Sequence, residues 1–359
     1  MPMPTHLILK DAGVDVGFFA TKYTTGRTTG APSNAASIGT GIFPSIPAKG
    51  ETLTQYAGTG TLNGVSINVE GQTFFVGASA PEMVGPEGMI RRGSEDYCKT
   101  PGYQALFLGA LWHIARYHNV QKTLVLENLV VGLPLSTLKT HKEYLKDACT
   151  GIHQVPCHSR PGETITVDVK NVHVTPQPQG SVVNYMNSQS GSKIKEDHVV
   201  LVLDMGGGTF DWYACNGNLR PLYKLCGATN TGTLSCTTEI CRSIRPSLAS
   251  STIAIERVDK AIRTKADSFE IGGQTYSMAD YWPMVVSHVQ SSFDEMRAAV
   301  GELFLVVDHI ILSGGGAHIL QMALEEKYPE ISSRIHIDGD HVFGNVKGFH
   351  QIAEAYSED

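Results

Sequence analysis

The segment that most restricts the fold is Val199-Val-Leu-Val-Leu203 followed by Asp204-Met-Gly-Gly-Gly-Thr-Phe-Asp211. An unbroken run of β-prone apolar residues is a strand buried on both faces, the kind found in the middle of a parallel sheet. This one ends on a carboxylate. The glycines that follow let the backbone reverse sharply and leave no Cβ to hold a ligand away. Successive amide N–H groups in such a turn can point at a phosphate. Thr209 adds a hydroxyl, and Phe210 to Cys215 reads as the returning strand. Asp204 cannot meet a phosphate favourably alone. It fits where a hydrated Mg²⁺ lies between them, because Mg²⁺ keeps its waters and takes oxygen partners. The plainer reading is a glycine-rich hairpin with a solvated aspartate.

Two further segments follow the same logic. Asp15-Val-Gly-Phe-Phe-Ala-Thr-Lys22 comes after a strand at 7–10. Asp15 can hold Mg²⁺ through water, the Gly17 region and Thr21 can meet phosphate, and Lys22 can neutralise charge. Read alone, an ordinary hairpin turn explains it as well. Ser313-Gly-Gly-Gly-Ala317 lies between a buried strand at 305–312 and a helix running to about 328. A flat glycine surface lets a purine lie against the backbone, and a helix N-terminus favours anions. A tight strand-to-helix crossing would look the same. Neither G-x-G-x-x-G nor G-x-x-x-x-G-K-[ST] occurs, which argues against a dinucleotide fold and a P-loop.

Elsewhere the pattern alternates strands and helices. A hairpin is expected at 66–76, where Glu70-Gly71 separates β-prone residues. A helix starts at Thr100-Pro101 and carries an apolar stripe from Tyr103 to Tyr117. A strand at 124–131, a helix at 136–148 and strands at 165–169 and 172–175 follow. Val174 to Ser181 reads as a Pro-rich turn and an internal boundary. The second half adds helices at 231–245, 252–264 and 279–300, a hairpin at 269–276, and a C-terminal helix at 349–356. Residues 24–64 read as loop-dominated. Each half opens with strand, aspartate, glycine turn and strand, so two similar α/β lobes facing one another are expected.

Composition removes several classes. The 359 residues suggest about two domains at roughly 100–200 residues each. A net charge of −7 disfavours broad, direct nucleic-acid binding. The longest apolar runs are broken at Glu127-Asn128 and Asp308-His309, short of the roughly 18–20 residues that span a bilayer. No membrane partner is expected, the N-terminus does not read as a signal peptide, and a cytoplasmic location follows. Seven cysteines form no C-x-x-C, and no H-E-x-x-H occurs. The cysteines read as scattered reduced thiols.

The order and context of the three turns resemble the actin-like ATPase superfamily, which also holds sugar kinases and chaperone ATPase domains. The resemblance implies two similar actin-like (ribonuclease H-like) α/β lobes around a nucleotide cleft. Residues 1–178 plus about 336–359 would form the first lobe, with a small subdomain at about 30–100. Residues 179–335 would form the second, with one at about 228–285. Asp15, Gly17, Thr21 and Lys22 would form the first phosphate turn. Gly206, Gly207, Gly208, Thr209 and Asp211, with Asp204, would form the second. Ser313, Gly314, Gly315 and Gly316 would support the adenosine. Asp15 and Asp204 would hold the waters of Mg²⁺.

Phe43-Pro-Ser45, Val131-Gly-Leu-Pro134 and Phe343-Gly-Asn-Val-Lys-Gly348 are similar to segments of the ParM/StbA group of plasmid-segregation actins. That implies ATP (or GTP) turnover coupled to self-assembly into filaments. Plasmid DNA would be moved through a DNA-binding adaptor protein, with no direct nucleic-acid contact. Gln177 is the first choice for positioning the attacking water and Gln179 the second. A small-molecule kinase and a nucleotide-sensing cytoskeletal scaffold are the alternatives.

Overall fold

The computed structural model describes residues 4–28, 37–50, 62–84, 96–188, 190–337 and 339–358. In chain order, the first half contains β1 (His6–Val16), β2 (Ala20–Arg27), β3 (Ile38–Pro44), β4 (Ala48–Lys49), β5 (Val65–Val69) and β6 (Gln72–Val76). These lead to α1 (Pro101–Tyr117), β7 (Thr123–Leu133), α2 (Leu135–Cys149), β8 (Gly151–Pro156), β9 (Thr164–Pro176) and α3 (Gln177–Met186). The second half contains β10 (Val199–Met205), β11 (Phe210–Asn216), β12 (Gly227–Thr229), α4 (Thr233–Ile244) and α5 (Thr252–Arg263). It closes with β13 (Ser268–Ile271), β14 (Gln274–Ser277), α6 (Trp282–Val300), β15 (His309–Ser313), α7 (Ala317–Lys327), β16 (Ile335–Ile337) and α8 (Gly344–Glu358).

The main sheets run β3-β2-β1-β7-β9-β8 and β12-β11-β10-β15-β16 among the described residues. In each, an antiparallel three-strand ribbon continues into parallel strands. The two lobes therefore share one topology, as the repeated strand–aspartate–turn pattern implies. One face of the first sheet packs on α1 and α2, and one face of the second on α4 to α7. Thr100 caps α1 by accepting the Tyr103 N–H at 3.2 Å, with Pro101 in the first turn. The expected hairpin at 66–76 forms as β5–β6, with positive φ at Glu70 and Gly71.

The remaining faces are covered by an exchange. α3 follows the last parallel strand of the first sheet, yet its Val182 and Tyr185 pack on Val200, Val202 and Ile311 of the second. α8 follows the second sheet, yet its Phe349 and Ala353 pack on Val130 of the first. The two helices cross with backbones in contact. A Cβ on Gly348 would collide with the Gly180 carbonyl oxygen, and one on Gly180 with the Asn345 carbonyl oxygen.

The structure corrects several sequence expectations. The Pro-rich segment 174–181 is not a turn: β9 runs to Pro176 and Gln177 opens α3. The strands expected at 165–169 and 172–175 are one strand. Lys170-Asn171 only looks like a break, because the neighbouring strands carry polar residues at the same level. Asp11 lies opposite Asn128, and Asn128 opposite Asn171. The end of α8 satisfies this stripe: Asn128 donates to Ser357 Oγ at 2.8 Å, and Ser357 donates to Asp11 at 2.6 Å. The run 305–312 is not all strand, since residues 301–306 form a 3₁₀ turn before β15. The region 24–64 contains the end of β2 and all of β3, and part of it lies outside the described residues. α8 begins at Gly344, earlier than expected, and β8, α3 and β16 had no counterpart in the pattern. No described helix is long and apolar enough to cross a membrane.

The crossing generates a prediction of reversed sign. Gly to Ala inside a helix ordinarily stabilises by about 0.5–1 kcal/mol. Gly348→Ala should instead cost roughly 1–3 kcal/mol, because the methyl meets backbone that cannot rotate away. Urea unfolding of the two proteins checks this, and a neutral or stabilising result contradicts the crossing.

Candidate functional site

β1 and β10 are the strands from which each antiparallel ribbon turns back, and each ends beside a cavity of about 740 Å³ between the lobes. Asp15 and Asp204 are the penultimate residues of β1 and β10; both are buried and both line this cavity. Asp15 faces Lys22 in the β1–β2 register, and Lys22 Nζ lies 3.4 Å from its Oδ2. Gln177 Nε2 donates to Asp15 Oδ1 at 2.9 Å. Asp204 Oδ2 accepts from Asn345 Nδ2 at 2.7 Å. Burial pushes the Asp204 carboxyl above its usual range; Asn345 and the charge of Lys22 oppose that, and Asp15 adds to it. Two buried carboxylates sharing one cavity form a site short of positive charge.

The second turn directs its carbonyl groups toward α4. The Gly206 carbonyl accepts the Thr233 N–H at 3.0 Å, and the Gly207 carbonyl accepts the Leu234 N–H at 2.8 Å. These oxygens point back at the start of α4. In a planar trans peptide the N–H points the opposite way. Among the described residues the Gly207 and Gly208 N–H groups donate to no other backbone group, and both glycines line the cavity. The positive end of α4 stands behind them.

The first turn differs in character. The Gly17 N–H donates to the Ala20 carbonyl at 3.2 Å, which tightens the bend. Its tip carries Phe18 and Phe19, whose ring edges pack against the second turn. A Cβ on Gly207 would fall inside the Phe19 ring edge, and one on Gly208 inside that of Phe18. Phe18 also stacks on Tyr97, with ring centroids 4.9 Å apart. Two aromatic rings thus bridge the cleft.

The third turn is only partly available. Gly314 and Gly315 line the cavity, but Ser313 and Gly316 do not. The Gly316 N–H donates to the Met205 carbonyl at 3.0 Å, and Ser313 Oγ pairs with Ser181. Gly314 has φ +81°, and a Cβ there would strike Asp204 Oδ1. Opposite lies α5, from which Glu256, Lys260 and Arg263 reach the cavity. Arg263 Nε donates to Asp259 at 2.6 Å, which holds the guanidinium beside the glycine surface.

Of the residues selected from sequence, Asp15, Gly17, Lys22, Gln177, Asp204, Gly206, Gly207, Gly208, Thr209, Gly314 and Gly315 come together around the cavity. Thr21 does not: it is fully buried and pairs with Ser45 at 2.9 Å. Gln179 turns away to Thr175. Asp211 sits opposite Asp204 in the hairpin, on the buried side, and accepts the Leu135 N–H at 3.3 Å. Thr209 also bonds to it, and burial raises its carboxyl to about 7. Asn345, Ser181 and the α5 residues were not selected. Asn345 lies within the Phe343–Gly348 segment already quoted, while Ser181 and α5 carry no local signal.

The donor set fits a hydrated Mg²⁺. The two carboxylates are available through water, and among the described residues no group of three His, Cys, Asp or Glu could hold a metal directly.

Two family models match the chain. The model for the N-terminal domain of actin-like proteins covers residues 13–180, and that for the C-terminal domain of archaeal MreB-like actin homologues covers 202–326. Solved structures with this fold include an archaeal actin homologue at 20% identity and TM-score 0.74, over 97% of this chain and 99% of that one. The same homologue solved with ADP gives 19% identity and TM-score 0.70, over 97% and 99%. A 15-stranded ParM filament from Clostridium botulinum gives 16% and 0.73, over 97% and 100%. No curated protein matches the chain by sequence.

Two outcomes follow from this geometry. Gly207→Ala should cost roughly 1–3 kcal/mol, and most of that loss should vanish in a Phe19→Ala background. A double-mutant cycle in urea measures the coupling; additive losses contradict the ring-on-glycine contact. Asp211 supplies a pH dependence. Its folded value is raised, so its contribution is fully present below the ordinary carboxylate range and is lost as pH rises through about 7. Asp211→Asn should therefore gain stability relative to the parent between pH 5 and pH 8, and a difference that does not change with pH would refute this.

Proposed function

We propose that this chain, which belongs to the actin-like proteins, binds ATP with Mg²⁺ between its lobes, hydrolyses it, and assembles with copies of itself into filaments. The observation that carries the reading is the convergence on one cavity of two buried strand-end carboxylates, an outward-facing glycine amide cradle and a flat Gly314–Gly315 surface. The base would lie between Gly314–Gly315 and α5, with Lys260 and Arg263 alongside. The phosphates would lie on the Gly206–Thr209 turn, in front of the α4 N-terminus. Asp15 and Asp204 would hold the waters of the metal, which when bound supplies charge neutralisation on the phosphate oxygens.

Gln177 suits the role of orienting the attacking water. Its amide nitrogen is anchored on Asp15, which leaves the carbonyl oxygen to accept a hydrogen from water. A neutral amide orients and does not remove the proton. Nucleotide would draw the lobes together about the crossing of α3 and α8. A head-to-tail contact that does not close on itself then yields a filament. The architecture shared with the Clostridium botulinum ParM filament supports this step. The plasmid-segregation role and its DNA-binding adaptor belong to the same proposal, as does ATP over GTP.

The small-molecule kinase reading has less support. Where the cavity extends into the first lobe it is walled by Phe18, Ile42, Pro44, Pro81 and Tyr97. Such a surface offers few partners for the hydroxyls of a sugar.

Light scattering with sedimentation in Mg²⁺ tests the whole reading. ATP should produce scattering that pellets and then decays, with GTP run alongside to settle nucleotide preference. Nucleotide binding without assembly at any concentration would overturn the filament. Asp204→Ala should abolish turnover. Gln177→Ala should slow it roughly a hundredfold while nucleotide still binds; unaltered turnover in either variant defeats that residue's assignment.

A further inference from the structure

Beside the cavity, three buried polar groups to which the proposed reaction gives no role lead up to Asp204. Ser313 ends β15 and pairs in register with Asp204 of β10. Its hydroxyl meets Ser181 Oγ on α3. Ser181 donates to Asn345 Oδ1 on α8 at 2.7 Å, and Asn345 Nδ2 donates to Asp204 Oδ2 at 2.7 Å. Because the Ser181 proton is spent on Asn345, Ser313 must supply the proton between the two serines. The hydrogen bonds therefore all run one way, from Ser313 through Ser181 and Asn345 to the carboxylate. All four residues are at most 7% exposed, and each comes from a different element.

This arrangement leaves Asp204 little freedom. One oxygen is held by Asn345, and the other lies against the Cα of Gly314. The amide cannot flip without turning its own oxygen onto the carboxylate, acceptor against acceptor. Ser181 enforces that choice. Ser181 and Asn345 also sit where α3 and α8 cross, with Gly344 bare beneath the Ser181 hydroxyl. The Ser181–Asn345 bond spans the two helices, so a change in the angle between them would alter the relay.

We propose that Asn345 is a positioning residue that aims the Asp204 carboxylate at bound metal and ties that aim to the crossing of the two interlobe helices. The inference rests on the nucleotide–Mg²⁺ reading above and adds a residue and a route to it.

The test is equilibrium binding of a fluorescent ATP analogue to the full chain, with Mg²⁺ and with EDTA, in the parent, Asn345→Leu and Ser181→Ala. The ratio of the two dissociation constants isolates the metal's share. Asn345→Leu should reduce that ratio roughly tenfold, with metal-free affinity within about twofold of the parent. Ser181→Ala keeps the bond to Asp204 and loses only the restraint on the amide, so it should reduce the ratio about threefold. If Asn345→Leu does not fold, Ser181→Ala decides alone. An unchanged ratio, or equal losses with and without Mg²⁺, overturns the positioning role. A parent chain that binds no nucleotide overturns the functional reading and this inference together, whereas Mg²⁺-dependent binding in the parent with unaltered variant ratios overturns the inference only.

Discussion

α3 and α8 cross with their backbones in contact at Gly180 and Gly348, and most of the architecture depends on that closeness. Each helix leaves one sheet and buries its apolar face on the other. If Gly180 or Gly348 carried a side chain, the helices would have to separate, and each would lift from the sheet it covers. The same crossing lies alongside the ends of β1 and β10. Gly13 of β1 packs on the Val346 carbonyl and Phe349, while Ser181 and Asn345 reach the end of β10. The separation of Asp15 from Asp204, and hence the cavity itself, is set by how tightly two helices pack.

The lobes neutralise their carboxylates differently. Asp15 has a cation within its own hairpin, Lys22, and a neutral amide from Gln177. Asp204 accepts a bond from the neutral amide of Asn345, and it feels Lys22 from across the cleft. Closing the cleft around the first-lobe lysine, or around a bound cation, therefore relieves the second-lobe carboxylate more than the first. That asymmetry gives lobe closure an electrostatic direction without any change in either sheet.

Much of this was legible in the sequence, for local reasons. A strand that ends in aspartate and reverses through glycine is a short-range pattern, so both glycine turns and the strand pairing around them could be read directly. The three-glycine run after β15 was legible as a turn but not in its parts, because partnering Ser313 with Ser181 is a contact between distant segments. Thr21 sits one strand residue out of phase with Asp15 and Lys22, a distinction that depends on which face of the hairpin is buried, whereas Asp211 shares a face with its partner Asp204 and is withdrawn from the cavity by its bond to Leu135. Asn345 belonged to a motif that could be quoted but not interpreted until α8 was placed against β10. α3 was hidden by Pro176 just before it and Pro178 in its first turn, because prolines suit a helix start as well as a loop. The polar steps at Asp11, Asn128 and Asn171 imitate turns until the end of α8 supplies their partners.

The two strand-end turns follow the same sequence pattern but differ in structure, and their difference has a physical logic. Had both tips stayed bare glycine, the lobes would meet across water, with nothing apolar to bury. Had both carried aromatic residues, the rings would exclude each other and cover the amides of the second turn. Here Phe18 and Phe19 project from one turn, and Gly207 and Gly208 present flat backbone on the other. The second turn can stay free of side chains, and so keep its N–H groups for an anion, because the first supplies all the apolar surface for both. Tyr97 stacks on Phe18. The contact that draws the lobes together and the cradle that would hold phosphate are thus built from the same glycines, used on two sides.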